Sequence, residues 1–314
     1  MGLKILGSSK VLVTGGAGFI GSHLVKKLVE LDYKVIVLDN FSRGSINNLE
    51  DVSHKIKIVE GDIREYKTVL KALKNVDVVF HLAALTDVQE SMEKPRLYHE
   101  VNSTGTLNLL QASVRNNVKK FIYASSCAVY GEPVRIPIDE EHPLNPLSPY
   151  AASKLSAEAY CKAYSNNYGL KVLILRLFNV YGPKQTRNYA GVISEFIKRI
   201  GNSEPPIIFG DGKQARDFIY VEDTVEYLIK TLNYKPENKF EVFNIGTGKS
   251  ITLNRLAKLI LKIMGKNSFT PVYQPPKQGD IRYSQADISK AIKILGYTPK
   301  IGLEEGLRKT INAI

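Results

Sequence analysis

The chain has 314 residues, 44% hydrophobic and 24% charged, which is too apolar for a disordered chain and longer than one ordinary core, so two joined globular lobes are expected. Its 43 Lys and Arg against 31 Asp and Glu leave a net charge of +12, but the lysines are spread along the chain, which points to no nucleic acid and equally suits an anionic small substrate. No apolar run is long enough to span a membrane, Met1-Gly2-Leu3-Lys4 lacks a signal peptide's apolar stretch, and Cys127 and Cys161 fit neither a disulfide framework nor a metal motif; a reduced, cytoplasmic enzyme or binding protein without a metal is the expectation.

Short β-branched runs alternate with longer amphipathic stretches in the first half. Strands are predicted at Lys10 to Thr14, Val35 to Leu38, Ile56 to Val59, Val76 to His81, Phe121 to Ala124 and Val172 to Leu177. Between the first two falls a helix from Gly18 to Asp32, with Ile20, Leu24, Leu28 and Leu31 as its apolar stripe. This rhythm predicts an α/β fold, a doubly wound parallel sheet of the Rossmann type, over residues 1–180. After Gly182-Pro183 come shorter pieces, with helices at Val192 to Ile200, Glu222 to Asn233, Leu253 to Met264 and Leu303 to Ile314. They predict a second, smaller α/β lobe over 181–314 that faces the substrate, with Val242 to Ile245 as a strand that can return to the main sheet.

Gly15, Gly18 and Gly21 follow a strand and open a helix, where side-chain-free positions let backbone amides, with Phe19 and Ile20 among them, approach a pyrophosphate. Asp39 ends the second strand about twenty residues on, where a carboxylate accepts ribose hydroxyls and repels a 2′-phosphate. NAD is therefore expected over NADP, although Arg43 nearby is a residue type that accommodates the extra phosphate. Asn40 stands beside Asp39. Asp62, in Gly61-Asp62-Ile63, either reaches the adenine amino group or caps a turn. His81-Leu82-Ala83-Ala84 ends the fourth strand with small residues that permit close approach.

Tyr150 and Lys154 stand four apart in Ser148-Pro149-Tyr150-Ala151-Ala152-Ser153-Lys154. On a helix both project from one face, and the ammonium would favour the phenolate, making Tyr150 a general base. Tyr and Lys at this spacing usually mean nothing; the glycine turn upstream is what gives the pair weight. His23 and His81 read as packed rather than catalytic, Cys127 has no adjacent histidine to activate it, and Pro275-Pro276 stiffens a loop.

Read together, these motifs resemble the extended short-chain dehydrogenase/reductase family, in its order and from Lys10 to the C-terminus. Arg176-Leu177-Phe178-Asn179, Gln214-Ala215-Arg216-Asp217-Phe218 and Gln278-Gly279-Asp280-Ile281-Arg282 resemble segments of its UDP-hexose 4-epimerase branch, which acts on UDP-glucose or UDP-N-acetylglucosamine. The resemblance implies NAD as cofactor and a transient 4-keto sugar, with Ser126 joining Tyr150 and Lys154 at the reacting oxygen. It implies that Asn179, Arg216, Asp280 and Arg282 contact the diphosphate or ribose and that Val192 and Phe209 lie near uracil. Lys277 departs from the arginine of many relatives and loses a bidentate fork. Ser284 stands where plain-hexose enzymes resemble a tyrosine wall, which implies room for an N-acetyl group. Family 4,6-dehydratases carry a carboxylate after the serine, whereas Cys127 and Ala128 follow Ser126 here; reductases, 3,5-epimerase/reductases and a non-catalytic NAD-binding protein are the other readings. A homodimer through the helix of Tyr150 and one spanning Leu97 to Asn116, as a four-helix bundle, is also implied.

Overall fold

Val11, Leu12 and Val13 in β1 (Lys10–Thr14) have no exposed surface, which is why this strand is an unbroken apolar run rather than an alternating one. The computed structural model, which describes residues 9–185, 191–235, 239–277 and 279–313, places β1 inside a seven-stranded sheet. The other strands are β2 (Lys34–Asp39), β3 (Lys57–Glu60), β4 (Val78–His81), β5 (Lys120–Ser126), β6 (Lys171–Leu177) and β10 (Phe240–Ile245). Their order is β10-β6-β5-β4-β1-β2-β3, and every neighbouring pair is parallel. The chain winds one way from β1 to β3, then the other way from β4, so β1 and β4 flank the switch point where such sheets hold ligands.

Alternation along β1 sends Val11 and Val13 into one core and Leu12 into another. The first core is closed by α1 (Phe19–Glu30), α8 (Val221–Asn233) and α10 (Ser289–Leu295), through Leu24, Leu28, Leu228 and Leu295. The second is closed by α2 (Tyr66–Ala72), α5 (Gly105–Arg115) and α6 (Pro149–Tyr168), through Val69, Leu109, Ala157 and Cys161. A third core, with Phe196, Ile200, Leu256, Ile260 and Leu307, lies between α7 (Val192–Gly201), α9 (Leu253–Ile263) and α11 (Leu303–Asn312). Beside it run the sheet β11-β9-β7, formed by Ser250–Thr252, Ala215–Tyr220 and Asn179–Tyr181, and the pair β12 (Val272–Gln274) with β8 (Ile207–Phe209). Fully buried Asp217 pins this region to its surroundings by accepting the backbone N–H groups of Thr247, Gly248 and Ala286 and the Thr247 hydroxyl.

Two boundaries differ from the sequence reading in ways that bear on the site. The fifth strand runs on to Ser126 instead of stopping at Ala124. The continuous helix expected from Leu97 to Asn116 is instead α4 (Pro95–Tyr98), a π-helical turn over His99–Thr104 and then α5; a further short helix, α3 (Val88–Glu93), precedes them. Thr106 Oγ1 donates to the Asn102 carbonyl at 2.5 Å, and the Asn102 side chain bonds both backbone groups of Leu85 at 2.9 Å. The threonine bond takes a carbonyl of the helical ladder itself, and the asparagine bonds tie the turn to the loop after β4. Among the described residues no helix is long and apolar enough to cross a membrane.

Candidate active site

Gly15 sits at φ +68°, and a Cβ there would meet the Ala83 amide nitrogen at 2.7 Å; one on Gly21 would stand 2.1 Å from the Gly15 carbonyl oxygen. Only glycine lets the end of β1, the loop after β4 and the start of α1 come this close. The N-cap of α1 is Gly18, with no side chain to cap the helix, so its first amides are left to an external acceptor. A group with two phosphates fits this cradle.

The turn forms the floor of a cavity of about 470 Å³. Gly15, Gly18, Phe19, Ile20 and Gly21 line it from β1 and α1; Asp39, Asn40, Asp62 and Ile63 from the ends of β2 and β3; Leu82, Ala83 and Ala84 from the end of β4; and Ser126, Tyr150 and Lys154 from β5 and α6. The structure therefore gathers into one wall every residue that the sequence reading assigned to the cofactor. Asp39 is 7% exposed; its carboxylate accepts the Ala17 and Phe41 amides, each at 2.9 Å, while burial pushes its pKa up against those bonds. Asp62 takes a two-pronged contact from Arg64, which holds its carboxyl below the usual range, and accepts Asn40 Nδ2 at 2.9 Å. It caps its turn and lines the cavity at once, since its Oδ1 also accepts the Arg64 amide.

The reactive end is built by α6. Ser148 caps the helix by accepting the Ala151 amide, and Pro149 starts it, which puts Tyr150 in the first turn and Lys154 one turn on. Lys154 Nζ donates to the Ala124 carbonyl at 2.8 Å and lies 4.9 Å from the centre of the Tyr123 ring. In the protein without a cofactor, both groups are held toward their neutral forms. Burial pushes Tyr150 up to about 12, opposed by its hydrogen bond with Ser126, and pushes Lys154 down to about 7, opposed by the charge of Glu158. Desolvation is the largest influence on both groups. His81 is packed, its ring nitrogens bonded to the hydroxyls of Thr14 and Thr106 at 2.8 Å, and His23 approaches the Pro183 carbonyl.

A second cavity, about 400 Å³, adjoins the first, and Ser126 and Tyr150 line both. Asn179, Val192, Arg216, Asp280 and Ser284 line it as well. Arg216 is clamped by the Asp280 carboxylate and the Ile281 carbonyl. Ser284 is 1% exposed and lies beside the Cys127 thiol. Cys127 lines the same cavity with its thiol pushed up to about 11 by burial, so it is neutral, as its lack of an activating histidine suggests. Two expected contacts are not brought there. The Arg282 guanidinium turns to Asp211, at 2.7 and 2.9 Å, and Phe209 lies under the Lys277 ammonium at 4.1 Å; neither residue lines the cavity. An exposed carboxylate within reach captured the arginine, which a linear motif does not reveal. Gln278 falls outside the described residues.

Sequence reasoning missed Gln185 and Phe178, which line both cavities, and Arg64, which lines the first together with the Arg43 already noted beside Asp39. Phe178 carried a signal, since it sits beside Asn179 in a segment already singled out. Among the described residues no cluster of His, Cys, Asp and Glu is arranged to hold a metal.

Those geometries define a dinucleotide-binding protein of the doubly wound class. The pattern of the NAD dependent epimerase/dehydratase family matches residues 11–246, and the chain belongs to that family. It is 37% identical to a UDP-glucose 4-epimerase of Mycolicibacterium smegmatis over 96% of its length and 97% of the relative's. It superposes with TM-score 0.92 and 42% identity on the UDP-glucose 4-epimerase of Thermotoga maritima, solved with UDP-glucose, over 97% of this chain and 98% of that one. A UDP-N-acetylglucosamine 4-epimerase from Methanobrevibacter ruminantium, solved with UDP-N-acetylmuramic acid, superposes with TM-score 0.92 and 42% identity over 98% of both chains. dTDP-D-glucose 4,6-dehydratases are also among the relatives, at 36% identity for those of mouse and human.

Proposed function

We propose that the chain is an NAD-dependent 4-epimerase of a UDP-hexose. The observation that carries the reading is the junction of the two cavities at Ser126 and Tyr150, which lets the same two side chains face a sugar hydroxyl on one side and a dinucleotide on the other. The glycine turn holds the pyrophosphate, Asp39 with Asn40 the ribose, and Asp62 with Ile63 the adenine. NAD in that cavity supplies a hydride acceptor and donor and a positive charge beside the phenol. Tyr150 removes the proton of the sugar's 4-hydroxyl and later returns it, while Ser126 hydrogen-bonds the same oxygen. Lys154, fixed by the Ala124 carbonyl, adds its charge when protonated and holds the wall behind Tyr150. Asn179, Val192, Arg216 and Asp280 hold the nucleotide end, with Arg282 and Phe209 outside the lining of that cavity.

Epimerisation is favoured over 4,6-dehydration by what the second cavity lacks. Elimination of water needs a proton donor near the leaving group, and among the described residues that line this cavity the one carboxylate is Asp280, already held by Arg216. Cys127 and Ala128 occupy the positions after Ser126. Purified protein given UDP-glucose and no added cofactor is expected to yield UDP-galactose; a dehydrated 4-keto product, or no turnover of any UDP-hexose, would overturn the reading. The proposal includes a nucleotide-sugar lobe over 181–314 with β10 returned to the main sheet, and a homodimer through α5 and α6, for which light scattering should give twice the chain mass.

A further inference from the structure

Arg43 and Glu90 lie 47 positions apart and are joined by a 2.6 Å hydrogen bond between Nη2 and Oε2. Arg43 follows β2, and Glu90 follows β4 in α3. Since β1 lies between those two strands, the pair reaches across the end of β1 above the glycine turn. Glu90 is itself held in place. Its amide is capped by Asp87 at 2.8 Å, and its carboxylate also accepts Lys94 Nζ and the Tyr98 hydroxyl, both at 3.1 Å.

Arg43 and Arg64 are the two arginines lining the cavity beside Asp39 and Asp62, and each is committed to a carboxylate, Arg43 to Glu90 and Arg64 to Asp62. A 2′-phosphate brings two negative charges to this corner and is stabilised only by a cation able to turn toward it. Arg43, four residues beyond Asp39, is the side chain placed to do so.

We propose that Glu90 is a cofactor-selectivity residue: by holding Arg43 it denies an arginine to the 2′-phosphate of NADP and so acts together with Asp39 to select NAD. The inference rests on the reading of this cavity as the NAD site. Asp39 repels the phosphate directly, whereas Glu90 acts at a distance by removing the competing attraction. Glu90→Gln keeps the length and the hydrogen bond from Tyr98 but removes the charge, which weakens the hold on the guanidinium and lets it turn toward a phosphate.

The test is equilibrium titration of cofactor-stripped protein with NAD and with NADP. Glu90→Gln should tighten NADP by about ten- to a hundredfold, the range of one charge-assisted contact, while NAD changes by no more than about threefold. The double variant Arg43→Ala with Glu90→Gln should lose that gain. Arg43→Ala alone should leave NADP within about twofold of native, because the native arginine is already occupied. NADP binding unchanged in Glu90→Gln, a gain that survives in the double variant, or a tenfold NADP loss in Arg43→Ala would each overturn the proposal while native NAD binding stands. Native protein that binds neither dinucleotide would overturn the reading of the cavity, and this proposal with it.

Discussion

Glu158 and Arg176 form an ion pair sealed inside the protein, with Nη2 and Oε2 2.7 Å apart and side chains only 6% and 5% exposed. The second Glu158 oxygen accepts the Ser125 hydroxyl at 2.5 Å, one residue before Ser126, and Glu158 lies one helical turn beyond Lys154. Arg176 also donates to the Tyr130 hydroxyl, which in turn donates to Asn244. One pair thus ties α6, the end of β5, β6 and β10 into a single frame behind the reactive groups. Removing one member should leave the other charge buried and alone, at a cost of about 3–5 kcal/mol. Glu158→Leu is expected to lower the urea midpoint accordingly, and Glu158→Asp to lower it less; a loss under about 1 kcal/mol for the leucine variant would show that the frame is not needed.

Tyr150→Phe should abolish most turnover and spare cofactor binding, because it deletes one oxygen and leaves the glycine turn and Asp39 untouched. Loss of a general base costs about two to four orders of magnitude in kcat. Single-turnover measurement alongside NAD titration separates the two effects, and a near-native rate would remove Tyr150 from its role.

Ser284→Tyr should close the second cavity to N-acetylated sugars. Ser284 stands on the wall of that cavity with 1% of the residue exposed, so a larger side chain is pressed into the cavity. Overpacking of this kind costs about 1–3 kcal/mol. Native protein is expected to act on both UDP-glucose and UDP-N-acetylglucosamine, and the variant to lose the second far more than the first in kcat/KM; equal losses would show that Ser284 is no gate.

Lys154 should make stability rise with pH. Burial lowers its pKa to about 7 in the folded chain, against an ordinary value near 10.5, so between those limits the unfolded chain binds more protons than the folded one. Stability from this group therefore increases from about pH 7 to about pH 10. Tyr150 acts in the opposite sense above that, since its raised pKa of about 12 makes the folded chain keep a proton that the unfolded chain loses. Urea midpoints measured from pH 7 to 10 should climb less steeply in Lys154→Met than in the native protein; parallel curves would contradict the shift.

Local spacing made the central site legible. Gly15, Gly18 and Gly21 fall close together where a strand gives way to a helix, and Tyr150 with Lys154 about one turn apart on another helix, so closeness in sequence brings each set together. What escaped was set by pairing at long range. Asp211 drew Arg282 away from the second cavity across 71 positions, and Glu90 claimed Arg43 across 47. The π-helical turn was equally hidden, because a threonine hydroxyl that takes a helix carbonyl leaves no mark in a pattern that reads as continuous. Strands of three residues such as β7, β8 and β11 are too short to show a period.

The place of β10 has a temporal consequence. β6 has its partner β5 on one side as soon as it is made, but its other edge stays open until Phe240–Ile245 arrives, roughly sixty residues later. At ribosomal speeds of about 5–20 residues per second that interval lasts roughly 3 to 12 s, with the row of unpaired amides and carbonyls along Lys171–Leu177 offered to any passing strand. A chain truncated near residue 180 would carry that open edge permanently, so its fate should be precipitation, and the first lobe cannot be harvested as an independent nucleotide binder.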